Sequence, residues 1–226
     1  VSDGVDVFLV ARTFGVRDYV AQLMFNSPPG HSDAMDLAKM LAVLELDAGL
    51  EGPDFRIWRQ TRTGLLSYPL DPIAARAHLA ASIYLQMALK PHIVHIVGHT
   101  EADHAATAED VIEASSIARR AIDNAVRGQP DMTADPNVRA RCAELVAEAQ
   151  VTLQAICSLA DPGIADPLTD AATLARGVTS CILDAPQLNN NRFGRGKIRT
   201  RIMDGACLAV DERGRPLREG QRLGGE

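Results

Sequence analysis

Histidine and carboxylate side chains are concentrated between Pro91 and Ala114, the stretch of this chain best equipped for chemistry. Six of them fall within thirteen positions: His92, His95, His99, Glu101, Asp103 and His104. Such groups bind polar ligands, transfer protons or coordinate metals. Strand alternation separates His92 from His95, and no spacing here is diagnostic of a metal. The pattern predicts a hydrogen-bonding pocket without a metal. A metal site and ordinary strand-end histidines are the alternatives.

A strand and a helix are predicted to position this group. His92–Val97 is a short apolar run bounded by Pro91 and Gly98, which is typical of a buried strand. Thr107 followed by Asp110 is a capping-box pattern that predicts the start of a helix. In α/β folds the loops that follow the carboxyl ends of parallel strands carry the chemistry.

A second candidate group lies on the predicted strand Phe55–Arg62. Alternation places Arg56, Gln60 and Arg62 on one face, together with Trp58. Two guanidinium groups on one face suit a carboxylate or phosphate, which they can bind in a bidentate way. The alternative is an edge strand whose polar face is solvated or ion-paired.

The remaining pattern predicts an α/β fold. Strands are predicted at Val5–Ala11, Phe55–Arg62 and His92–Val97. Helices are predicted at Val16–Phe25, from Ser32 or Asp33 to about Ala48, from Asp71 to about Leu89, and from Thr107 to about Arg127. This alternation indicates parallel strands joined by helical crossovers over residues 1–128. Residues 129–226 are predicted to form a helical extension with a hairpin at Asp204-Gly205.

The amino-acid composition of the chain excludes some classes of protein function. The net charge of −6 argues against a general nucleic-acid binder, and no apolar run has the length of a membrane span. The four cysteines are widely scattered, which is typical of a reducing cytoplasm. A basic loop of five cations could clamp an anion, although most such loops are simply solvated. These cations are Arg192, Arg195, Lys197, Arg199 and Arg201.

Several stretches resemble one enzyme family. They are QLMFNSPPGHSDAMDLAKMLAVLEL (22–46), RQTRTGLLSYP (59–69), LQMALKPHIVHIVGHTEADHAATAEDVIE (85–113), ILDAPQLNNNRFGRGKIRTRIMDGAC (182–207) and AVDERGRPL (209–217). Together they are similar to the carboxyl-terminal part of the large (epsilon) subunit of glutamate mutase, also called methylaspartate mutase. The resemblance covers nearly the whole chain and about half of that subunit.

The resemblance implies a fold and an activity. The family fold is a (β/α)8 barrel with a carboxyl-terminal extension, so residues 1–128 would be a partial TIM-type barrel made of its last β-α units. The family uses adenosylcobalamin to isomerise L-glutamate to threo-3-methylaspartate by radical chemistry. A small cobalamin-binding subunit holds most of the cofactor, and the barrel covers the adenosyl face.

The resemblance also implies site residues. Met24, Arg56 and Gln60 are the expected cofactor-facing positions, although the family has a lysine and a glutamate where Arg56 and Gln60 stand. The expected substrate pocket combines a strand residue with the histidine group: Arg62, His95, His99, Glu101 and His104. No catalytic residue is assigned, because the family's acid/base glutamate lies in the absent first half. At Cys181 and Asn189 the family pattern has glycine and a charged residue.

Three strands cannot close an eight-stranded barrel, so we expect the chain to associate with the missing barrel half or with itself. The main hypothesis is a mutase segment that is catalytically incomplete alone. The alternative is a non-catalytic barrel remnant that serves as a protein-interaction module. An adjacent reading frame for the first half of the barrel would favour the mutase. A third possibility, a metal-dependent hydrolase, predicts bound metal at the histidine group.

Overall fold

The computed structural model describes residues 11–224 and is an α/β fold. Its strands are β1 (Asp18–Phe25), β2 (Arg56–Thr63), β3 (Ile93–His95), β4 (Arg199–Met203) and β5 (Ala206–Val210). Its helices are α1 (Asp33–Asp47), α2 (Pro72–Gln86), α3 (Ala108–Val126), α4 (Pro136–Cys157), α5 (Ala171–Thr179) and α6 (Glu219–Arg222). Short 3-10 turns join several of them. The predicted strand Val5–Ala11 lies outside the described residues except for Ala11, which is helical.

The prediction of a helix at Val16–Phe25 is wrong, because Asp18–Phe25 is strand β1. Its Ala21, Leu23 and Phe25 are buried, whereas the alternating Val20 and Gln22 are exposed and Met24 is partly exposed. This period of two fits a half-covered strand, and pairing with β2 satisfies the backbone of the segment. The helical spacing of the apolar residues in this segment is coincidental and does not reflect a helix.

The three strands β1, β2 and β3 form a parallel sheet in that order. One face is covered by helices and carries buried side chains such as Phe25, Ile57 and Thr61. The other face is open and carries Gln22, Gln60 and their neighbours. The predicted parallel sheet is therefore confirmed, and no barrel closes within residues 11–224.

Helix ends follow the local sequence signals. Ser32 caps α1, Asp71 caps α2 with Pro72 at the first position, and Thr107 and Asp110 form the predicted capping box of α3. These side chains accept hydrogen bonds from backbone N–H groups that the first turn leaves without partners. No helix in the described part of the chain is long and apolar enough to cross a membrane.

Two apolar clusters hold the helices to the covered face. In the first, Leu23 and Phe25 of β1 pack with Leu37 of α1 and with Val138 and Val146 of α4. In the second, α2 and α3 pack closely through small residues: Ala75, Ala114, Ala118 and Ala121. Helix α4 lies beyond the predicted boundary between residues 128 and 129. The division of the chain there stays a prediction.

The predicted hairpin is confirmed as the antiparallel pair β4–β5. Its turn residues Asp204 and Gly205 have φ angles of 49° and 75°, as a tight two-residue turn requires. The turn packs on the loop that follows β1, where the Ser32 backbone N–H donates to the Gly205 carbonyl at 2.9 Å. A Cβ at Gly205 would come within 2.5 Å of Ser32 Cβ, so only glycine permits this approach.

Cys181, where the resembled family has glycine, adopts a left-handed φ of 65°. A side chain with a Cβ is strained in this region, so we expect Cys181→Gly to raise the free energy of unfolding by about 0.5–1 kcal/mol. Urea unfolding would measure the gain. Cys181→Ala is the matched control, since it removes the thiol and keeps the Cβ. An equal effect of both variants would mean that the thiol, and not the backbone, is the cause.

Candidate functional site

The open face of the sheet gathers several of the predicted site residues. The strand register pairs Met24 with Arg62 and Arg62 with His95, so these three form one row across the sheet. The row lies at the carboxyl ends of the strands and spans about 10 Å at the usual strand spacing. The next row holds Gln22, Gln60 and Ile93 by the same register. Four of the predicted site residues, Met24, Gln60, Arg62 and His95, therefore lie in two neighbouring rows of one surface.

Arg56 lies on the same face, farther from the carboxyl ends of the strands, and contacts another side chain of the protein. Its guanidinium sits 5.1 Å from the centre of the Trp58 ring, as in a cation–π contact. The Trp58 Nε1–H donates to Asp18 Oδ1 at 2.8 Å, which fixes the indole. The prediction that Arg56, Trp58, Gln60 and Arg62 share a face is confirmed. Arg56 stacks on the protein itself, at the amino-terminal end of β2.

Gln60 and Arg62 differ from Arg56 because their polar side-chain atoms have no partner within the described residues. Across residues 11–224 their side chains form no hydrogen bond or ion pair, and Arg62 Nε is buried without a partner. A buried donor left unpaired costs about 1–3 kcal/mol, so such groups favour a ligand or another chain. A half-buried guanidinium beside an open surface suits a carboxylate.

The carboxyl ends of β1 and β2 are fixed by a buried polar network on the covered side. Ser82 of α2 donates to Asn26 Oδ1 at 2.7 Å and lies 2.9 Å from Thr63 Oγ1. Gln86 Nε2 donates to both Thr63 Oγ1 and Ser82 Oγ. Because Thr63 follows Arg62 directly, this network holds the backbone that carries Arg62.

The rest of the predicted pocket does not converge on the open face. His99 is buried on the helix side, with Nε2 3.4 Å from Glu113 Oε2. Glu113 is itself held by Arg76 through two short contacts. Glu101 accepts from the Gly98 backbone N–H and so closes its own turn. Glu101 therefore stabilises its own turn, whereas neither ring nitrogen of His99 has a hydrogen-bond partner of ordinary geometry among residues 11–224.

His104 is part of the start of α3. Its ring lies 3.0 Å from Asp103 Oδ2 and 3.3 Å from Asp110 Oδ2. These carboxylates hold the pKa of His104 above its ordinary value. The side chain is exposed and bound to capping residues, apart from the row of Arg62. In the described part of the chain, no three His, Cys, Asp or Glu residues are grouped as metal ligands would be.

The basic loop is organised by a carboxylate of the chain. Asp184 accepts hydrogen bonds from the backbone N–H groups of Gly196, Lys197 and Ile198. These bonds lower the pKa of Asp184 although its burial opposes them. Arg192 stacks on the exposed ring of Phe193. This arrangement corresponds to the solvated alternative more closely than to an anion clamp.

A second cluster, which sequence reasoning missed, lies beside the loop after β1. Asp36 is fully buried and contacts His31 Nδ1 at 2.9 Å and Lys39 Nζ at 2.7 Å. It also accepts from the Asn26 backbone N–H. Cys207 of β5 and His31 line the same cavity of about 210 Å³. The Gly-His-Ser segment ahead of a capped helix was a weak signal, and nothing in the spacing connects it to Cys207.

Two chemical capabilities follow from this geometry. The open face offers a cation, an amide, a thioether and an imidazole at the carboxyl ends of parallel strands, which suits binding of a polar or anionic ligand. The cluster of His31, Asp36 and Cys207 joins a thiol to an oriented imidazole, which suits thiol chemistry. Neither protein-family models nor curated proteins give a match to this chain.

Proposed function

We propose that this chain is the carboxyl-terminal part of the large subunit of an adenosylcobalamin-dependent glutamate mutase. In this proposal the sheet supplies the last strands of a (β/α)8 barrel and one wall of the active site, and the chain is incomplete alone. The observation that carries the proposal is the row of Met24, Arg62 and His95 on an open face.

An uncovered face is unusual for parallel strands, which are generally buried on both sides. Here Val20 and Ile93 are 44% and 40% exposed, and polar side chains lie between them. In a closed barrel this face would line the lumen, where polar groups near the carboxyl ends meet substrate. The proposal accounts for both the polarity of the face and its lack of cover.

The residues present fit the adenosyl side of the cofactor in two positions. The Gln60 amide has no partner among residues 11–224 and would hydrogen-bond the ribose, and Met24 would give an apolar contact beside it. Arg56 fits less well because it is stacked on Trp58. When bound, adenosylcobalamin supplies the radical chemistry. The chain's own residues would bind and orient the cofactor and the substrate and shield them from solvent.

Arg62 is the residue that we assign to substrate. Its buried Nε has no partner among residues 11–224, and L-glutamate brings carboxylates that accept from guanidinium in a bidentate way. His95, next to Arg62 in the row, can donate a further hydrogen bond. The network of Ser82, Thr63 and Gln86 behind Arg62 keeps its position fixed while substrate binds.

The proposal includes partners and a location. A small cobalamin-binding subunit would cover the cofactor, and the remaining barrel strands would pair with the free edges of β1 and β3. The enzyme would work in the cytoplasm.

The test combines assembly with turnover. The full chain is mixed with a cobalamin-binding small subunit, adenosylcobalamin and the remaining barrel segment, and mass is followed by chromatography with light scattering. We expect a defined complex that isomerises glutamate. Arg62→Met should lower kcat/KM about 10- to 100-fold, the loss of one charged hydrogen bond, without changing the mass. Arg192→Met in the exposed loop is the matched control and should change neither.

Two outcomes would contradict the proposal. If the chain and the small subunit turn over glutamate at a normal rate without the remaining barrel segment, the chain is not an incomplete wall. If no combination of components gives a complex, the mutase assignment fails.

The second candidate function is a non-catalytic interaction module. Within residues 11–224 the outer edges of β1 and β3 pair with no strand, which favours this candidate because a free strand edge is a template for another chain. This candidate predicts self-association, or binding of a partner, that is indifferent to adenosylcobalamin and to Arg62→Met. The same chromatography distinguishes it from the mutase segment.

A further inference from the structure

His31 is a buried imidazole in which one ring nitrogen contacts a carboxylate and the other has no hydrogen-bond partner within the described residues. Its side chain is 5% exposed, and Nδ1 lies 2.9 Å from the fully buried Asp36 Oδ1. Nε2 is buried and has no hydrogen-bond partner of ordinary geometry among residues 11–224. Asp36 thus fixes the orientation of the ring, and His31 is one of the residues that line the neighbouring cavity.

Cys207 completes this arrangement from the opposite side. The β-hairpin is docked on the loop through Ser32 and Gly205, and its strand β5 brings Cys207 to the cavity of about 210 Å³ that His31 also lines. Cys207 is a partly exposed residue. The cavity is also bordered by Lys39, Arg141 and the apolar Pro28 and Leu145. A small molecule can therefore reach the sulfur next to the imidazole.

We propose that Cys207, assisted by His31 and Asp36, is a reactive thiol that forms mixed disulfides with small-molecule disulfides. This site is separate from the open face of the sheet, and the inference does not depend on the proposed mutase function. Cysteine, histidine and a carboxylate in this order give a nucleophile, a base and a group that orients the base.

The reaction balances without a further reagent. The Cys207 proton passes to His31, and the thiolate sulfur attacks one sulfur of the disulfide. The reagent's S–S bond breaks, a new S–S bond joins Cys207 to that half, and the other half leaves as a thiolate. Cys207 is oxidised and the leaving half is reduced. An added thiol reverses the reaction.

Electrostatics agrees with the geometry. The contact with His31 lowers the pKa of Cys207, and its partial burial opposes this only in part. Burial alone would lower the pKa of His31, but Asp36 and the thiol raise it above the ordinary value. The charged groups around the cavity are Asp36 and Lys39 of α1 and Arg141 of α4, which is paired with Glu144. The thiolate of Cys207 is thus more favoured than that of a cysteine without an imidazole beside it.

The other thiols provide an internal comparison. Cys142 is buried, and burial together with Glu45 raises its pKa. We therefore expect Cys207 to react before Cys142. The test treats the full chain with dithiodipyridine, a small neutral disulfide, at slightly acidic pH. Thiopyridone release gives the rate, and peptide mass spectrometry identifies the modified residue. The reference is a synthetic peptide of residues 203–211, in which the thiol has no imidazole beside it.

We expect Cys207 to react about tenfold faster than the peptide at slightly acidic pH, and Cys207→Ser to abolish the fast phase. His31→Asn keeps a donor for Asp36 and removes the second ring nitrogen, so it should remove most of the acceleration. His78→Asn is the matched control and should leave the rate unchanged. A rate for Cys207 equal to that of the peptide would overturn the proposal, and this comparison needs no variant to fold. A folded His31→Asn protein that reacts like the original would overturn it as well.

Discussion

Replacing Asp36 by alanine is expected to lower the free energy of unfolding by about 3–5 kcal/mol, because it leaves the buried His31 and the largely buried Lys39 without their counter-charge. The carboxylate is fully buried and contacts Lys39 Nζ at 2.7 Å and His31 Nδ1 at 2.9 Å. The Asn26 backbone N–H would lose its acceptor too. Urea unfolding at neutral pH measures the loss.

Asp33→Ala is the matched control for this prediction. Asp33 lies in the first turn of the same helix but is exposed, so its removal should cost well under half as much. Equal losses for the two variants would mean that the Asp36 contacts contribute no net stability.

The contribution of Asp36 should also depend on pH. Burial would raise its pKa, but the hydrogen bond from His31 and the charge of Lys39 outweigh this and lower it. A lowered pKa in the folded chain means that the stabilisation is present above the ordinary value of 3.8 and is lost as pH falls through the folded pKa. The difference between the original protein and Asp36→Ala should therefore shrink in acid.

Asp47→Asn is expected to stabilise the protein at neutral and alkaline pH. Asp47 is 2% exposed, and within the described residues both of its carboxylate oxygens lack a hydrogen-bond partner. Burial raises its pKa from the ordinary 3.8 to about 7. Ionisation of this carboxyl in the folded chain is therefore unfavourable, and an asparagine of the same shape avoids it.

The sign of the pH dependence follows from this shift. Between about pH 4 and pH 7 the unfolded chain has released the Asp47 proton and the folded chain has kept it. The stability contributed by this group therefore falls as pH rises and levels off above about pH 7. The full shift corresponds to at most about 4 kcal/mol. We expect Asp47→Asn to be little different near pH 4 and more stable by about 2–4 kcal/mol near pH 8.

Denaturant unfolding at several pH values tests this, with Asp54→Asn as the control. Asp54 is exposed in the turn before β2, so the control changes net charge without touching the buried site. A pH-independent gain in Asp47→Asn would show that Asp47 does not ionise with an altered pKa.

Much of the fold could be predicted because its signals are local. Ser32, Asp71, Thr107 and the pair Asp204-Gly205 act on backbone groups within four residues of themselves, and each starts or turns the element that it was expected to. The Asp18–Phe25 strand was wrongly predicted to be a helix because its apolar residues fit both a period of 3.6 and a period of two. Pairing with β2, a contact between distant segments, decides between them.

The site was predictable only where strand alternation governs it. Alternation placed Gln60 and Arg62 on one face, and the register then added Met24 and His95. His99, Glu101 and His104 are close in sequence, but Glu101 and His104 bond to neighbouring residues of their own loop and His99 is buried against α3. Closeness in sequence does not show which way each side chain points. The pairing of His31 with Cys207 depends on how a hairpin docks, which no local pattern encodes.

The docking of the hairpin turn on Ser32 bears on the order in which the protein folds. The contact between Ser32 and Gly205 joins segments about 170 residues apart, and closing so large a loop is entropically costly until the intervening elements have formed. The sheet and α1 can assemble from neighbouring segments well before that. His31 and Cys207 therefore meet late, and the environment of the thiol is a marker of completed folding.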